Sequence, residues 1–211
     1  MCAKRGQRGI PDSILISPRR SRQVIPFVVI ALLAGGVICD RSAQPPQRGD
    51  DQARYHDRSF RVVHVVDGDT LDINAPDADK AVTRIRLWGV DTPEVGRGGE
   101  SSMHFGPEAS EFARKTLEGR TVHVVLSPER TRGKYGRLLA YVYLERGGRM
   151  FNEMLLEEGY AYADLRFEHH YYKQFKDIEK RSRKANRGLW GDITVEKMPE
   201  WKQRFEDRKK D

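Results

Sequence analysis

Two short stretches of the chain place acidic side chains at the ends of apolar, strand-like segments. Residues 66–70 read Val-Asp-Gly-Asp-Thr, and residues 86–94 read Arg-Leu-Trp-Gly-Val-Asp-Thr-Pro-Glu. Hard cations such as Ca²⁺ are bound by carboxylate and carbonyl oxygens, which these stretches provide. Phosphodiester hydrolysis also needs a base for water and a guanidinium for the charge on phosphorus. Residues 134–137, Lys-Tyr-Gly-Arg, supply a second arginine, so the ordered set suits metal-assisted chemistry at a phosphate.

The elements that must position these residues are short strands interleaved with helices. Runs of β-branched and aromatic residues predict five strands, and the turn-forming Asp67-Gly68 predicts a hairpin between the first two. Apolar residues at helical spacing, with glycines at the ends, predict three helices. The predicted strands cover residues 60–66, 70–73, 82–88, 121–126 and 138–144, and the predicted helices cover residues 106–118, 151–158 and 170–186. The order β-β-β-α-β-β-α-α predicts an α+β fold, a small closed β-barrel with helices packed outside it.

The N-terminal part has the composition of a targeting segment. Residues 1–23 are basic, and residues 24–39 form an uncharged apolar run, long for a signal peptide and short for a membrane span. We expect this run to be a signal peptide or a membrane anchor that carries the rest of the chain out of the cytoplasm. Whether it is cleaved stays open. Lipidation at Cys39 is disfavoured by the bulky Ile38 before it.

The rest of the chain is predicted to hold one domain between two polar segments. Residues 40–59 predict a linker, residues 60–191 predict the domain, and residues 192–211 predict a charged C-terminal tail. The net charge of the chain is +7, of which residues 1–40 contribute +4 through six Lys or Arg against two Asp. The +3 that remains for the other residues does not by itself indicate binding to nucleic acid.

The sequence resembles the staphylococcal nuclease-like, or thermonuclease, family over residues 60–191. The resemblance rests on three motifs in the family's order and spacing, namely D-G-D-T, R-x-x-x-V-D-T-P-E and K-Y-G-R. It implies an OB-fold with a five-stranded barrel and three helices. It also implies a Ca²⁺-dependent phosphodiesterase that acts on DNA and RNA and leaves 3′-phosphates on its products.

The same resemblance assigns a metal site and a base. Asp69 and Asp91 resemble the carboxylate ligands of the metal, and Thr92 resembles the residue that contributes its backbone carbonyl. Glu94 resembles the general base that takes a proton from the attacking water. Because an unperturbed glutamate is a weak base near neutral pH, it must be held beside the bound phosphate. Structural roles compete with each assignment: a turn for Asp69, a cap for Asp91 and a solvated loop for Glu94.

Two arginines resemble the pair that binds the scissile phosphate and stabilises charge in the transition state. They are Arg86 and Arg137, and bidentate guanidinium–phosphate geometry makes lysine a poor substitute for either. From the strand pattern alone, Arg86 would be an outward residue paired with an acid, because Arg84 shares its face. Lys134 and Tyr135 resemble the residues that contact the terminal phosphate of the substrate.

The substrate contacts depart from the family pattern. Gly133 stands where the family often has an acid, and Leu165 and Phe167 align with the base-packing tyrosines of staphylococcal nuclease. Tyr160 and Tyr162 lie nearby but out of register. We therefore expect weaker base stacking, an interaction worth about 1–3 kcal/mol per base.

Three functions are compatible with these patterns. The leading hypothesis is a periplasmic or secreted Ca²⁺-dependent endonuclease, expected to be a monomer, with DNA or RNA as substrate. It would touch the membrane only through residues 24–39, if these are not cleaved. The alternative is a nuclease-like accessory protein in exopolysaccharide biosynthesis, by similarity to exported nuclease-like proteins of rhizobial succinoglycan gene clusters. A nucleic-acid binder without cleavage is disfavoured by the modest charge.

Overall fold

The computed structural model describes residues 48–208, apart from residues 97, 99, 100 and 129. The predicted signal peptide or membrane anchor, residues 24–39, lies outside the described residues. Within the described part of the chain, no helix combines the length and the apolarity that a membrane crossing requires.

The described residues form seven strands and five α-helices. The strands are β1 (Arg58–Asp67), β2 (Thr70–Ile73), β3 (Thr83–Leu87), β4 (Val90–Asp91), β5 (Thr121–Leu126), β6 (Leu138–Tyr143) and β7 (Tyr162–Ala163). The helices are α1 (Arg48–Tyr55), α2 (Gly106–Leu117), α3 (Phe151–Glu157), α4 (Tyr172–Lys184) and α5 (Glu200–Asp207), with 3₁₀ turns at Gly188–Gly191 and Val195–Lys197. All the predicted strands and helices are present, with small shifts at their ends.

The five longer strands close into a barrel in the order β1-β2-β3-β6-β5. Strands β3 and β6 are parallel, and the other neighbouring pairs are antiparallel. Each strand contributes buried aliphatic side chains to one core, among them Val62, Leu71, Ile85, Val124 and Leu138. Helix α2 packs on β1 and helix α3 on β6. The predicted barrel with helices around it is therefore confirmed.

A separate two-stranded ribbon carries part of the second motif. Strand β4 pairs antiparallel with β7, so that Asp91 lies opposite Tyr162 and Val90 opposite Ala163. All four residues are buried. A strand of two residues is too short to show a hydrophobic periodicity, so the sequence analysis did not predict β4 or β7. Their pairing fixes the backbone of Asp91 outside the barrel itself.

The described part of the predicted linker is folded, so that prediction was wrong for residues 48–59. Helix α1 is held by polar contacts that a hydrophobic pattern does not reveal. The buried Asp51 binds the Arg132 guanidinium at 2.6 Å (Oδ1–Nη2) and accepts a hydrogen bond of 2.8 Å from the hydroxyl of Thr131. Tyr55, which is 1% exposed, joins the barrel core. The domain therefore begins before residue 60.

The described part of the predicted charged tail is folded as well. Helix α5 belongs to a second small core, made of Tyr162, Leu189, Trp190, Met198 and Trp201. The charges in this segment are partly internal: Lys202 is 1% exposed, and its Nζ lies 2.5 Å from Glu179 Oε1 on α4. The sequence predicts only a charged tail here, because a buried ion pair leaves no apolar signal in the sequence.

Candidate active site

A cleft of about 750 Å³ is lined by the β1–β2 turn, the β3–β4 segment, the β5–β6 loop and the residues after β7. Seven of the eight predicted site residues line it, namely Asp69, Arg86, Asp91, Glu94, Lys134, Tyr135 and Arg137. The eighth, Thr92, is hydrogen-bonded to Asp69. The fold thus brings together residues from three distant parts of the chain.

Asp69 is buried, and both of its carboxylate oxygens accept hydrogen bonds. Its Oδ2 accepts hydrogen bonds from the Thr92 backbone N–H at 2.8 Å and from the Thr92 hydroxyl at 3.1 Å, and its Oδ1 accepts one from Thr70 at 3.1 Å. The turn before Asp69 must pass very close to Thr92. A Cβ at Gly68 would lie 2.7 Å from Thr92 Oγ1, which explains the glycine at this position.

Arg86 joins the two predicted metal-ligand carboxylates. Its Nη1 pairs with Asp69 and its Nη2 pairs with Asp91, and the side chain is 13% exposed. Arg84, two residues earlier, instead makes a bidentate pair with Asp72 at 2.8 Å and is half exposed. The two arginines of β3 therefore have different surroundings, and Arg86 is the one that enters the cleft.

Asp91 has a further partner from the C-terminal helix. Its Oδ2 accepts a hydrogen bond of 2.7 Å from the indole N–H of Trp201. Its Oδ1, paired with Arg86, also lies 3.3 Å from Arg166 Nη2. Arg166 is in turn held by a bidentate pair with Asp164 at 2.8 Å. Asp91 is thus fixed by side chains from three separate segments.

Arg137 and Glu94 share the electrostatic environment of the cleft. Burial lowers the pKa of the Arg137 guanidinium and the charge of Arg86 lowers this pKa further, whereas Asp67 and Glu94 raise it. Arginine keeps its proton throughout the pH range of proteins. Arg137 Nη1 lies 3.5 Å from Thr70 Oγ1. Glu94 is exposed to solvent, and its backbone carbonyl accepts a hydrogen bond of 2.9 Å from Met103.

The loop that carries Lys134 and Tyr135 presents an aromatic ring between two cations. Tyr135 is 76% exposed, with Lys134 Nζ 5.6 Å and Arg137 Cζ 5.8 Å from its ring centroid. The loop is closed by a hydrogen bond of 2.9 Å from Gly133 N–H to the Arg137 carbonyl. The buried Arg132 supports it with a hydrogen bond of 2.9 Å to the Gly136 carbonyl.

A second aromatic surface lies elsewhere on the cleft wall. Phe167 is 44% exposed and stacks on Trp88, with ring centroids 5.8 Å apart. The guanidinium of Arg130 lies 5.7 Å from the Phe167 ring and 5.9 Å from the Trp88 ring, and that of Arg166 lies 5.9 Å from Phe167. Leu165 packs instead against the barrel core. Of the two positions that align with the family's tyrosines, only Phe167 presents a ring to the cleft.

Comparison with known proteins identifies the family of the chain. Residues 84–192 match the family model for staphylococcal nuclease homologues. The chain belongs to the staphylococcal nuclease family. It is 33% identical over 165 residues to the thermonuclease of Staphylococcus hyicus, which covers 78% of this chain and 94% of that protein. It is 36% identical over 133 residues to the thermonuclease of Staphylococcus intermedius, covering 63% of this chain and 76% of that protein.

A third similar protein is named as an endonuclease. An uncharacterized endonuclease of Escherichia coli is 31% identical over 147 residues, covering 67% of this chain and 81% of that protein. The family assignment makes this chain a nuclease-type hydrolase, with nucleic acid as its class of substrate.

The donor atoms of the predicted metal-ligand set fit a hard cation. Asp69, Asp91 and the Thr92 carbonyl offer oxygen only, which suits Ca²⁺ and not metals that prefer thiolate or imidazole. Among the residues that the structure describes, no group of three or more His, Cys, Asp or Glu is arranged to hold a metal. A cation at this site would therefore be bound by two carboxylates, a carbonyl and water or substrate oxygens.

Sequence reasoning missed the side chains that surround the predicted set. Trp201 and Arg166 contact Asp91, and Trp88 and Arg130 support Phe167. Trp88 lies inside the second motif, where an aromatic ring beside the predicted site residues was an available signal. Trp201 gave only a weak one, a single tryptophan in a charged segment.

Replacement of Phe167 by alanine tests the aromatic surface. We expect Phe167→Ala to raise KM for single-stranded DNA by an amount equivalent to about 1–3 kcal/mol, because a stacked base would lose its ring. The kcat should change little, since a phenyl ring supplies neither a proton acceptor nor a metal ligand. The measurement is steady-state cleavage of a labelled oligonucleotide. Val63→Ala is the matched control, because Val63 is equally exposed (45%) and does not line the cleft.

Proposed function

We propose that the protein is an exported Ca²⁺-dependent endonuclease that hydrolyses phosphodiester bonds of DNA and RNA and leaves 3′-phosphates. The observation that carries this proposal is the convergence of two buried carboxylates, two arginines and an exposed glutamate in one cleft. They are Asp69, Asp91, Arg86, Arg137 and Glu94. Each has the chemical type that phosphodiester hydrolysis requires.

Asp69, Asp91 and the Thr92 carbonyl would hold the Ca²⁺ ion. When bound, the ion would polarise the phosphate and offset its negative charge. The hydrogen bonds from Thr70 and Thr92 keep the Asp69 carboxylate in place before any ligand arrives. A preorganised ligand loses less entropy on binding, which favours affinity.

Glu94 would remove a proton from the attacking water. The water oxygen forms a bond to phosphorus, the bond from phosphorus to the 5′ oxygen breaks, and the 5′ oxygen leaves as a hydroxyl after taking a proton. The phosphate then stays on the 3′ side. Arg86 and Arg137 would bind the equatorial phosphate oxygens, where negative charge grows in the transition state. The exposed position of Glu94 leaves it accessible to water and substrate.

Export is supported by the N-terminal sequence. Residues 24–39 are uncharged and apolar and follow a basic stretch, which is the pattern of a secretory signal or an anchor. Fractionation of cells that produce the protein with a C-terminal tag checks this part. We expect the tag outside the cytoplasm, and a purely cytoplasmic tag would contradict export.

Removal of the metal tests the proposed activity. Purified protein is expected to cleave labelled DNA and RNA with Ca²⁺, to lose cleavage when EGTA is added, and to regain it with excess Ca²⁺. The products are expected to resist 3′ extension until a phosphatase removes the terminal phosphate. Cleavage that persists in the chelator, or products with free 3′ hydroxyls, would contradict the proposal. A polysaccharide phenotype that survives loss of cleavage would favour the accessory role instead.

A further inference from the structure

The indole of Trp201 makes a contact with the active site that lies outside the family motifs. Trp201 is 8% exposed and donates a hydrogen bond of 2.7 Å from Nε1 to Asp91 Oδ2. It stands on α5, beyond residues 84–192, which match the family model. An indole N–H is a donor only, and the carboxylate it binds is one of the two predicted metal ligands.

Helix α5 is anchored to the strand that pairs with Asp91. Lys202, next to Trp201, binds Glu179 of α4 through a buried contact of 2.5 Å. Glu179 Oε2 accepts a hydrogen bond of 2.6 Å from the backbone N–H of Ala163 in β7. Strand β7 pairs with β4, which contains Asp91. The contacts form a closed circuit from Asp91 through β7, α4 and α5 back to Asp91.

This circuit determines which oxygen of Asp91 faces Arg86. Because Oδ2 is bound to Trp201, the side-chain torsions of Asp91 are restrained, and Oδ1 is the oxygen that pairs with Arg86 on the side of Asp69. The Trp201 ring is itself fixed by Arg166, whose Cζ lies 4.5 Å from the ring centroid. Residues that fix the orientation of a metal ligand contribute strongly to the affinity of the site for the metal.

We propose that Trp201 is a positioning residue for Asp91 and that its N–H raises the affinity of the site for Ca²⁺. This inference rests on the proposed function, since it requires Asp91 to be a metal ligand. It gives the C-terminal helix a direct role in the active site. Loss of the donor should therefore weaken metal binding even where the fold is kept.

Two substitutions of Trp201 separate the hydrogen bond from packing. Trp201→Phe keeps an aromatic ring and removes the donor. Trp201→His keeps a ring nitrogen at the position equivalent to Nε1 but removes the six-membered ring. Trp190→Phe is the control, because Trp190 is in the same small core and its Nε1 has no hydrogen-bond partner among the described residues.

The readout is Ca²⁺ binding by isothermal titration calorimetry on chelator-treated protein. Trp201→Phe is expected to weaken binding on the order of 10- to 100-fold. Trp201→His should bind more tightly than Trp201→Phe, and Trp190→Phe should bind like the wild type. The rise in melting temperature on adding Ca²⁺ is a second readout, which compares each variant with itself and so does not require equal stability.

The outcomes separate this inference from the proposed function. Wild-type affinity in Trp201→Phe, or weaker binding by Trp201→His than by Trp201→Phe, would overturn the positioning role while leaving the metal site intact. Absence of Ca²⁺ binding by the wild type would overturn the proposed cofactor and this inference with it.

Discussion

Replacement of Glu94 by glutamine is expected to lower the kcat for DNA cleavage about 10²- to 10⁴-fold, the range that general base catalysis contributes. Glutamine has the same shape, but its amide cannot take a proton from water near neutral pH. KM and Ca²⁺ affinity should stay close to the wild-type values, because Glu94 is not in the carboxylate pair that Arg86 bridges. The effect should therefore fall on the chemical step.

The main-chain contacts of Glu94 do not depend on its side chain. Its backbone is held by the hydrogen bond from Met103 to its carbonyl, and a Cβ at Gly106 would lie only 2.5 Å from that carbonyl. These contacts involve the main chain, so they persist in Glu94→Gln. The side chain itself is exposed, and its charge acts on Arg137.

The assay is single-turnover cleavage of labelled DNA at saturating Ca²⁺. Glu108→Gln is the matched control, because Glu108 is an exposed acid in the first turn of α2 and does not line the cleft. Wild-type cleavage by Glu94→Gln would remove Glu94 from the mechanism. An equal loss in Glu108→Gln would point to a general effect of charge.

The barrel could be predicted from local sequence, and the candidate site residues from their resemblance to the family motifs. β-branched runs gave the strands, and three short motifs gave the residues that the β1–β2 turn, β3–β4 segment and β5–β6 loop bring into one cleft. Arg86 shows the limit of such reasoning. Strand alternation put it on the face of Arg84, yet Arg84 pairs with Asp72 and Arg86 with the two cleft carboxylates.

The remaining elements could not be predicted because their stability comes from contacts between distant residues. Asp51 and Arg132 are 81 positions apart, and without that pair the sequence of α1 looks like a polar linker. Trp201 and Asp91 are 110 positions apart. Charged residues are usually solvated, so a buried pair such as Lys202–Glu179 gives no signal until its partner is known. The sequence therefore predicts a linker where α1 lies and a charged tail where α5 lies.

Lys202→Met is expected to lower the free energy of unfolding by about 3–5 kcal/mol, the cost of breaking a buried ion pair from one side. Methionine fills a similar volume, so the loss comes from Glu179, whose side chain, 9% exposed, loses its cationic partner. Chemical denaturation followed by circular dichroism measures the change. Lys197→Met is the control, because Lys197 is an exposed lysine close to α5. A loss no larger than in this control would contradict a buried pair.

A double variant tests the physical reason for that loss. Glu179→Gln removes the stranded charge but keeps a side-chain oxygen that can accept the hydrogen bond from Ala163 N–H. Combined with Lys202→Met, it should therefore recover part of the lost stability, since a neutral amide is less costly to bury than an unpaired carboxylate. A double variant no more stable than Lys202→Met alone would contradict an unpaired charge on Glu179 as the cause of the loss.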